Sequence, residues 1–274
     1  MMNVRKAIKC LLGIIVAVLL LFLGYNIFYV KIGNERVFRF TDEYHTNLNC
    51  TDADLENVKH LIKLEHLFIN SPNVTNIDFV YDFSNIQTLY ISASNTNMDL
   101  SSISQCQNLE TFYMFNAKLE NIRFLCQNAK LKNLNLGLSN VTNISGIAQV
   151  ENLESVTLCN ATSNSILGMN ELNQLCNLIS LTIVNATSAD IDIIKECKNL
   201  RSLSLIDSRE SVDLKKLSDM EHLETLYIPD SNLENVGLLS EFTALKEVSI
   251  SENAINYETK TALQRSGITV TIIS

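Results

Sequence analysis

The chain has 274 residues, 46% hydrophobic and 19% charged, a size and balance that admit one or two folded domains. Acidic residues outnumber basic ones by 30 to 21, and beyond Phe40 the ratio becomes twenty-nine to fifteen. A surface of that sign repels phosphate backbones, which excludes nucleic-acid binding of the kind that draws its affinity from Lys and Arg.

The first ten residues, MMNVRKAIKC, carry three cations, Arg5, Lys6 and Lys9. They precede LLGIIVAVLLLFLGYNIFYV, residues 11–30, which has no charged residue and one interior amide, Asn26. At about 1.5 Å per residue, twenty helical residues span roughly 30 Å, the thickness of a bilayer's hydrocarbon core. The expectation is one transmembrane helix over 11–30, with residues 1–10 kept in the cytoplasm by their positive charge and the rest of the chain extracellular. A cleaved signal peptide would end in small residues of the A-x-A kind. Phe22-Leu23-Gly24 offers one such residue, so an uncleaved signal anchor in the cell membrane is preferred over a cleaved signal. Cys10 precedes the apolar run, whereas a lipid-carrying cysteine follows one. Residues 31–46, which begin KIGNERVFRF, read as a polar exit, a linker and the start of a cap.

Residues 47–274 form a different pattern. A six-residue phrase, apolar at its first, fourth and sixth places, begins at Leu64, Ile86, Leu109, Leu131, Leu153, Leu178, Leu200, Leu223 and Leu245, at intervals of 22 to 25 residues. A period held that closely marks a solenoid. The alternation within each phrase predicts a short strand with its apolar side chains inward and the intervening ones outward, and successive strands stack in parallel. The return segments carry a second apolar set, as in Val74 and Ile77, Leu119 and Ile122, Val141 and Ile144, Leu233 and Val236, which closes the core. The copy from Leu153 is three residues longer than the commonest length, and a bulge on the convex side is expected within SNSILGMNELNQLCN, residues 163–177. Cys50 to Lys63 reads as the back half of an atypical first unit with Leu55, Val58 and Leu61 in the core. GITVTIIS, residues 267–274, reads as a closing strand with Val270 and Ile272 at places four and six. A solenoid needs such caps because no neighbour covers its ends.

The phrase L-x-x-L-x-L, followed by I/L-x-x-I/V and a short turn, resembles the leucine-rich repeat family over residues 50–274, and its 22-residue length is similar to the internalin type of bacterial surface proteins. The resemblance implies an α/β-type solenoid: a horseshoe with a parallel β-sheet on its concave face and irregular, 3-10 or short helical return segments. It also implies a non-catalytic module whose concave strands face a partner, usually a protein. The family usually places Asn at the ninth position, where its amide bonds the backbone of adjacent turns. Here those places hold Pro72, Ser94, Ala117, Ser139, Ala161, Ala186, Ser208, Ser231 and Asn253.

Signs of chemistry are few. No G-x-S-x-G, G-x-G-x-x-G or G-x-x-x-x-G-K-[ST] occurs, and the eight glycines are too scattered to cradle a phosphate. His45, His60, His66 and His222 fall on different faces or distant turns, so no metal set converges. DADLE, from Asp52, shares only the opening of a calcium loop and reads as a solvated cap. No enzyme activity, cofactor or metal is expected. Cys50, Cys106, Cys126, Cys159, Cys176 and Cys197 lie beyond the apolar run; buried thiols are expected, with Cys176 and Cys197 the pair to examine for a disulfide. The N-x-S/T triplets at Asn49, Asn73, Asn140, Asn143, Asn160 and Asn185 would suggest glycans in a eukaryotic secreted chain, but read here as chance matches in an Asn-rich sequence.

The informative pattern lies outward. Down the stack, the fifth place holds Phe68, Tyr90, Tyr113, Asn135, Thr157, Thr182, Ser204, Tyr227 and Ser249, and the seventh adds Phe115, then Val184 and Ile206. Strands stack about 4.8 Å apart, so the first three rings stand side by side. Aromatics suit strands and pack across them, which would account for such a row without function. They are also favoured anchors of recognition patches. Phe68, Tyr90, Tyr113, Phe115 and Tyr227 are therefore the candidate ligand-binding residues. A protein partner is expected, with a cell-envelope glycan or a structural-spacer role as alternatives.

Overall fold

Alternating burial turns the repeated phrase into a stacked sheet. The computed structural model describes residues 27–92, 98–160 and 165–273. Its strands are β1 (Tyr29–Ile32), β2 (Glu35–Phe38), β3 (Glu43–His45), β4 (His66–Asn70), β5 (Thr88–Ser92), β6 (Thr111–Leu119), β7 (Asn133–Val141) and β8 (Ser155–Asn160). They continue with β9 (Ser180–Val184), β10 (Ser202–Ile206), β11 (Val212–Asp213), β12 (Thr225–Ile228), β13 (Leu233–Glu234), β14 (Glu247–Ser251) and β15 (Thr269–Ile273). Among the described residues eleven strands form one parallel sheet in the order β15-β14-β12-β10-β9-β8-β7-β6-β5-β4-β3. The return segments are mostly 3-10 turns, such as Asp78–Asp82 and Ser101–Gln105, with short α-helices at Asp52–Leu55, Ser188–Ile194 and Tyr257–Arg265.

Every first, fourth and sixth place is buried, the most exposed being Leu245 at 7%. Each such side chain contributes roughly 1.5–3 kcal/mol by leaving water. The return set meets it from the other side: Val74, Ile77, Ile122, Val141 and Ile144 are fully buried, Leu119 is buried, and Leu233 and Val236 pack partly against the same cluster. The closing strand pairs as its pattern requires, Val248 with Val270 and Ile250 with Ile272. At the other end Leu55, Val58 and Leu61 are buried.

Residues 29–46 contain two features. β1 and β2 pair as an antiparallel hairpin that buries Val30 and Ile32, and β3 extends the parallel sheet by one strand, with Tyr44 opposite Leu67. The transmembrane expectation falls largely outside the described residues, which begin at Ile27; the last two residues of the apolar run, Tyr29 and Val30, belong to β1. Among the described residues no helix is long and apolar enough to cross a membrane.

The turns after the strands differ from the family's usual device. Asn116, Asn185, Asp207 and Asp230, each at the eighth place, adopt left-handed backbone with φ of 49–60°, a conformation Asn and Asp tolerate better than other side chains. Hydroxyls then tie adjacent coils. Ser139 Oγ donates to Met114 O at 2.9 Å and accepts from Ala117 N, and Ser208 N donates to Ser231 Oγ at 3.2 Å. Pro72 is bypassed because Ser71, one place earlier, donates to Cys50 O at 2.7 Å. The amide ladder exists, but elsewhere. Asn108, Asn152, Asn177 and Asn199, each just before a phrase, donate to Ser84 O, Ala129 O, Glu151 O and Cys176 O of the preceding coil at 2.6–3.1 Å.

The longer repeat absorbs its extra length early. Val141 pairs with Asn160 while Asn143 bridges Leu167, so the insertion lies between Asn160 and Leu167, before the convex 3-10 turn Met169–Gln174. There Gly168 has φ of +82°, and a Cβ on it would sit 2.5 Å from Ser145 N and 2.7 Å from Ser145 Cα. Both the handedness and the space demand glycine. Gly168→Ala is expected to cost about 2–3 kcal/mol, read as a lowered urea midpoint, whereas Gly237→Ala, with open space around it, should change stability little.

Candidate functional site: the aromatic end of the concave sheet

Strand register sets the site. His45, Phe68, Tyr90 and Tyr113 are paired in turn across β3, β4, β5 and β6, and Ser92 of β5 pairs with Phe115 of β6. Because places five and seven point away from the core, their rings meet on the outer surface. Phe68 and Tyr90 have ring centroids 5.9 Å apart, Tyr90 and Tyr113 6.3 Å, and Tyr90 and Phe115 5.1 Å, all tilted by 38–45°. Tyr113 and Phe115 lie nearly parallel at 6.4 Å and 7°. The structure thus unites four of the five expected residues around Tyr90. It separates Tyr227, which stands on β12 between Ser204 and Ser249, five strand spacings from Tyr113 and so roughly 24 Å along the sheet.

One ring was not anticipated from the phrase. His45 stacks on Phe68 at 4.1 Å and 1°, and its Nε2 lies 2.8 Å from Glu43 Oε1, so the ladder begins one strand earlier. Its signal was the alternation Glu43-Tyr44-His45. The phrase there was masked by Thr41 and Thr46 at apolar places, and Thr46 is accommodated because its hydroxyl accepts from Asn70 N at 2.8 Å.

The second place of each phrase forms a charged border. Gln87 donates to Glu65 at 2.9 Å, Lys132 pairs with Glu110 at 3.1 Å, and Glu224 takes both Arg201, at 3.0 Å, and Lys246. At the aromatic end this border is Glu65, Gln87, Glu110 and Lys132, while Thr88, Thr111 and Asn133 fill the third place. The patch is therefore a strip of rings flanked by hydroxyls and by an edge whose carboxylates are already paired.

The other expected features are placed elsewhere. Asp52 accepts from Thr75 N at 2.7 Å and Asn76 N at 3.0 Å, tying the first return turn to the next. Burial opposes its charge, but the bonds from Thr75 and Asn76 prevail and hold the carboxyl below its usual range. Asn160, one of the N-x-S/T asparagines, is fully buried against Asp190. All six described cysteines are free thiols, Cys176 and Cys197 included. Burial pushes the Cys106 thiol up to about 12 and that of Cys197 to about 11, whereas Cys176 is exposed. Since the thiolate is the reactive form, maleimide at neutral pH should label Cys176 fastest in the folded chain. Cys106 and Cys197 should react only after denaturation; their prompt labelling in the native state would contradict the packing.

No family model matches the sequence, and no curated protein is similar to it at the sequence level. Solved structures are similar in shape. An internalin (inlF) of Listeria monocytogenes superimposes with a TM-score of 0.54 at 18% identity, over 82% of this chain and 71% of that one. Internalin C2 of the same organism gives a TM-score of 0.54 at 24% identity, over 71% of this chain and 84% of that one. The fold is an internalin-like leucine-rich repeat. The likeness says nothing of what the aromatic strip meets, because at these identities it reports shape alone.

Proposed function

We propose that the chain is a membrane-anchored, extracellular binding module without catalytic function, which takes a protein partner on the aromatic end of its concave sheet. The observation that carries this reading is the run of rings from His45 to Phe115, which the core does not require: the inward places beside them, Leu67, Leu89 and Phe112, are already fully buried. Tyrosines and phenylalanines so grouped supply large contact area at small entropy cost and make typical interface anchors. A glycan is the second reading, favoured by the near-parallel faces of Tyr113 and Phe115. The tilted contacts of Tyr90 support a protein instead, since rings set at 38–45° to one another make no flat platform for a sugar face.

The discriminating experiment immobilises residues 27–274, which keep the β1–β2 hairpin, and challenges them separately with protein and polysaccharide fractions. Retention of a protein that Tyr90→Ala releases supports the reading; retention of polysaccharide alone sinks it. Topology is tested on cells producing the full chain. Added protease should digest the repeats and spare the N-terminal tail that bears Arg5, Lys6 and Lys9. A trimmed, soluble product in the medium would instead mean that the apolar run is a cleaved signal.

A further inference from the structure

The first described residues build a second apolar surface, at the N-terminal end of the solenoid and apart from the concave strip. Ile27, Phe28, Phe38, Phe40 and Ile62 are 36–57% exposed. They are gathered rather than scattered. Phe40 lies 6.3 Å from Phe28 and 5.5 Å from Phe38, Tyr29 meets Phe38 at 5.8 Å, and Ile62 N donates to Arg39 O at 3.1 Å. The hairpin register puts Tyr29 opposite Phe38 and Lys31 opposite Arg36 on the side facing away from buried Val30 and Ile32. One face thus presents aromatic rings beside two cations, on a chain whose remainder is strongly acidic. Exposed apolar clusters of this kind mark a contact.

Three observations say with what. Ile27 follows Asn26 directly, and residues 11–26 contain no charged side chain, so a membrane holding that run would lie within a residue or two of the patch. Aromatic rings favour the headgroup level of a bilayer. Lys31 and Arg36, both exposed, offer the sign that anionic headgroups attract. We propose that this face lies in the interfacial layer of an anionic phospholipid bilayer, with Phe28, Phe38 and Phe40 at headgroup level and Lys31 and Arg36 against lipid phosphates. The proposal rests on the membrane-anchored reading above. Its consequence is mechanical: the N-terminal cap seats the solenoid on the membrane and restricts the directions in which the concave strip faces.

The chain has no tryptophan, so a single one reports its own surroundings. Full-length Phe38→Trp and, as a distant control, Tyr257→Trp, at a site 85% exposed on the C-terminal helix, are reconstituted into phosphatidylcholine–phosphatidylglycerol vesicles carrying bromine near the headgroup. In Phe38→Trp the emission is expected to shift to the blue, to lose most of its intensity to the brominated lipid and to resist aqueous iodide; Tyr257→Trp should do the opposite. Phe40→Trp repeats the reading should Phe38→Trp fold poorly. If both cap tryptophans behave like the control while the chain stays in the vesicles through alkaline carbonate, the anchor stands and the seat is overturned. Shielding from iodide without quenching by lipid bromine means that protein covers the patch, and overturns it too. A chain extracted by carbonate removes the anchored reading and this proposal with it.

Discussion

Tyr90→Ala combined with Tyr113→Ala is expected to remove most of the affinity for the captured partner while leaving urea unfolding nearly unchanged. Tyr90 sits at the centre of the strip, touching Phe68, Tyr113 and Phe115. Truncating a central aromatic anchor costs about 2 kcal/mol or more, roughly thirtyfold in affinity. Because both tyrosines point outward, no internal cavity opens. Leu89→Ala is the matched control. Its side chain is fully buried one residue away, so it should lose about 2–5 kcal/mol of stability through the cavity. Should the tyrosine pair unfold as readily as that control, the rings are packing residues. Should the pair stay folded and bind normally, the contact lies elsewhere on the sheet, with Val184, Ile206 and the distant Tyr227 the next outward side chains to test.

Asp190→Ala is expected to cost about 3 kcal/mol or more, although Asp190 is a single acidic residue in an acidic protein. It is fully buried and accepts from Thr187 N at 2.9 Å, Thr187 Oγ1 at 2.8 Å, Asn160 Nδ2 at 3.2 Å and Ser165 Oγ. With Thr187 it closes a capping box on the helix Ser188–Ile194. It also ties Asn160, which precedes the insertion, to Ser165, which lies within it. Arg209 adds a bond to Asn160 O at 3.0 Å from the coil beyond. Alanine would leave the Thr187 donors without this acceptor where water does not reach, and polar groups stranded in that way carry the full cost of desolvation. Asp192→Ala, two residues on, loses a half-exposed ion pair with Lys216 at 2.9 Å and should cost less than about 1 kcal/mol. Equal urea midpoints for the two variants would show that the Asp190 hub does not hold the insertion.

The solenoid was legible because its information is local and repeated. A strand's inward and outward faces follow from a period of two: Leu67 and Ile69 take the burial, and Val270 and Ile272 the register, that their places in the phrase require. The outward position of Phe68, Tyr90, Tyr113 and Phe115 came from the same rule. What the rule could not supply is contact between coils. His45 joins the ladder through strand pairing with Phe68, behind a phrase in which Thr41 and Thr46 hide the pattern. The amide ladder moved from the ninth place to Asn108, Asn152, Asn177 and Asn199, because only the stacking of return segments decides which carbonyl an amide can reach. Asp190 and Asn160 are thirty residues apart and meet only once the insertion has folded. Composition and period therefore determined the core, the sheet and the outward rows. The tertiary structure decided which outward groups touch, because hydrogen bonds and ring contacts depend on distances of a few ångströms between turns, and no single turn encodes them.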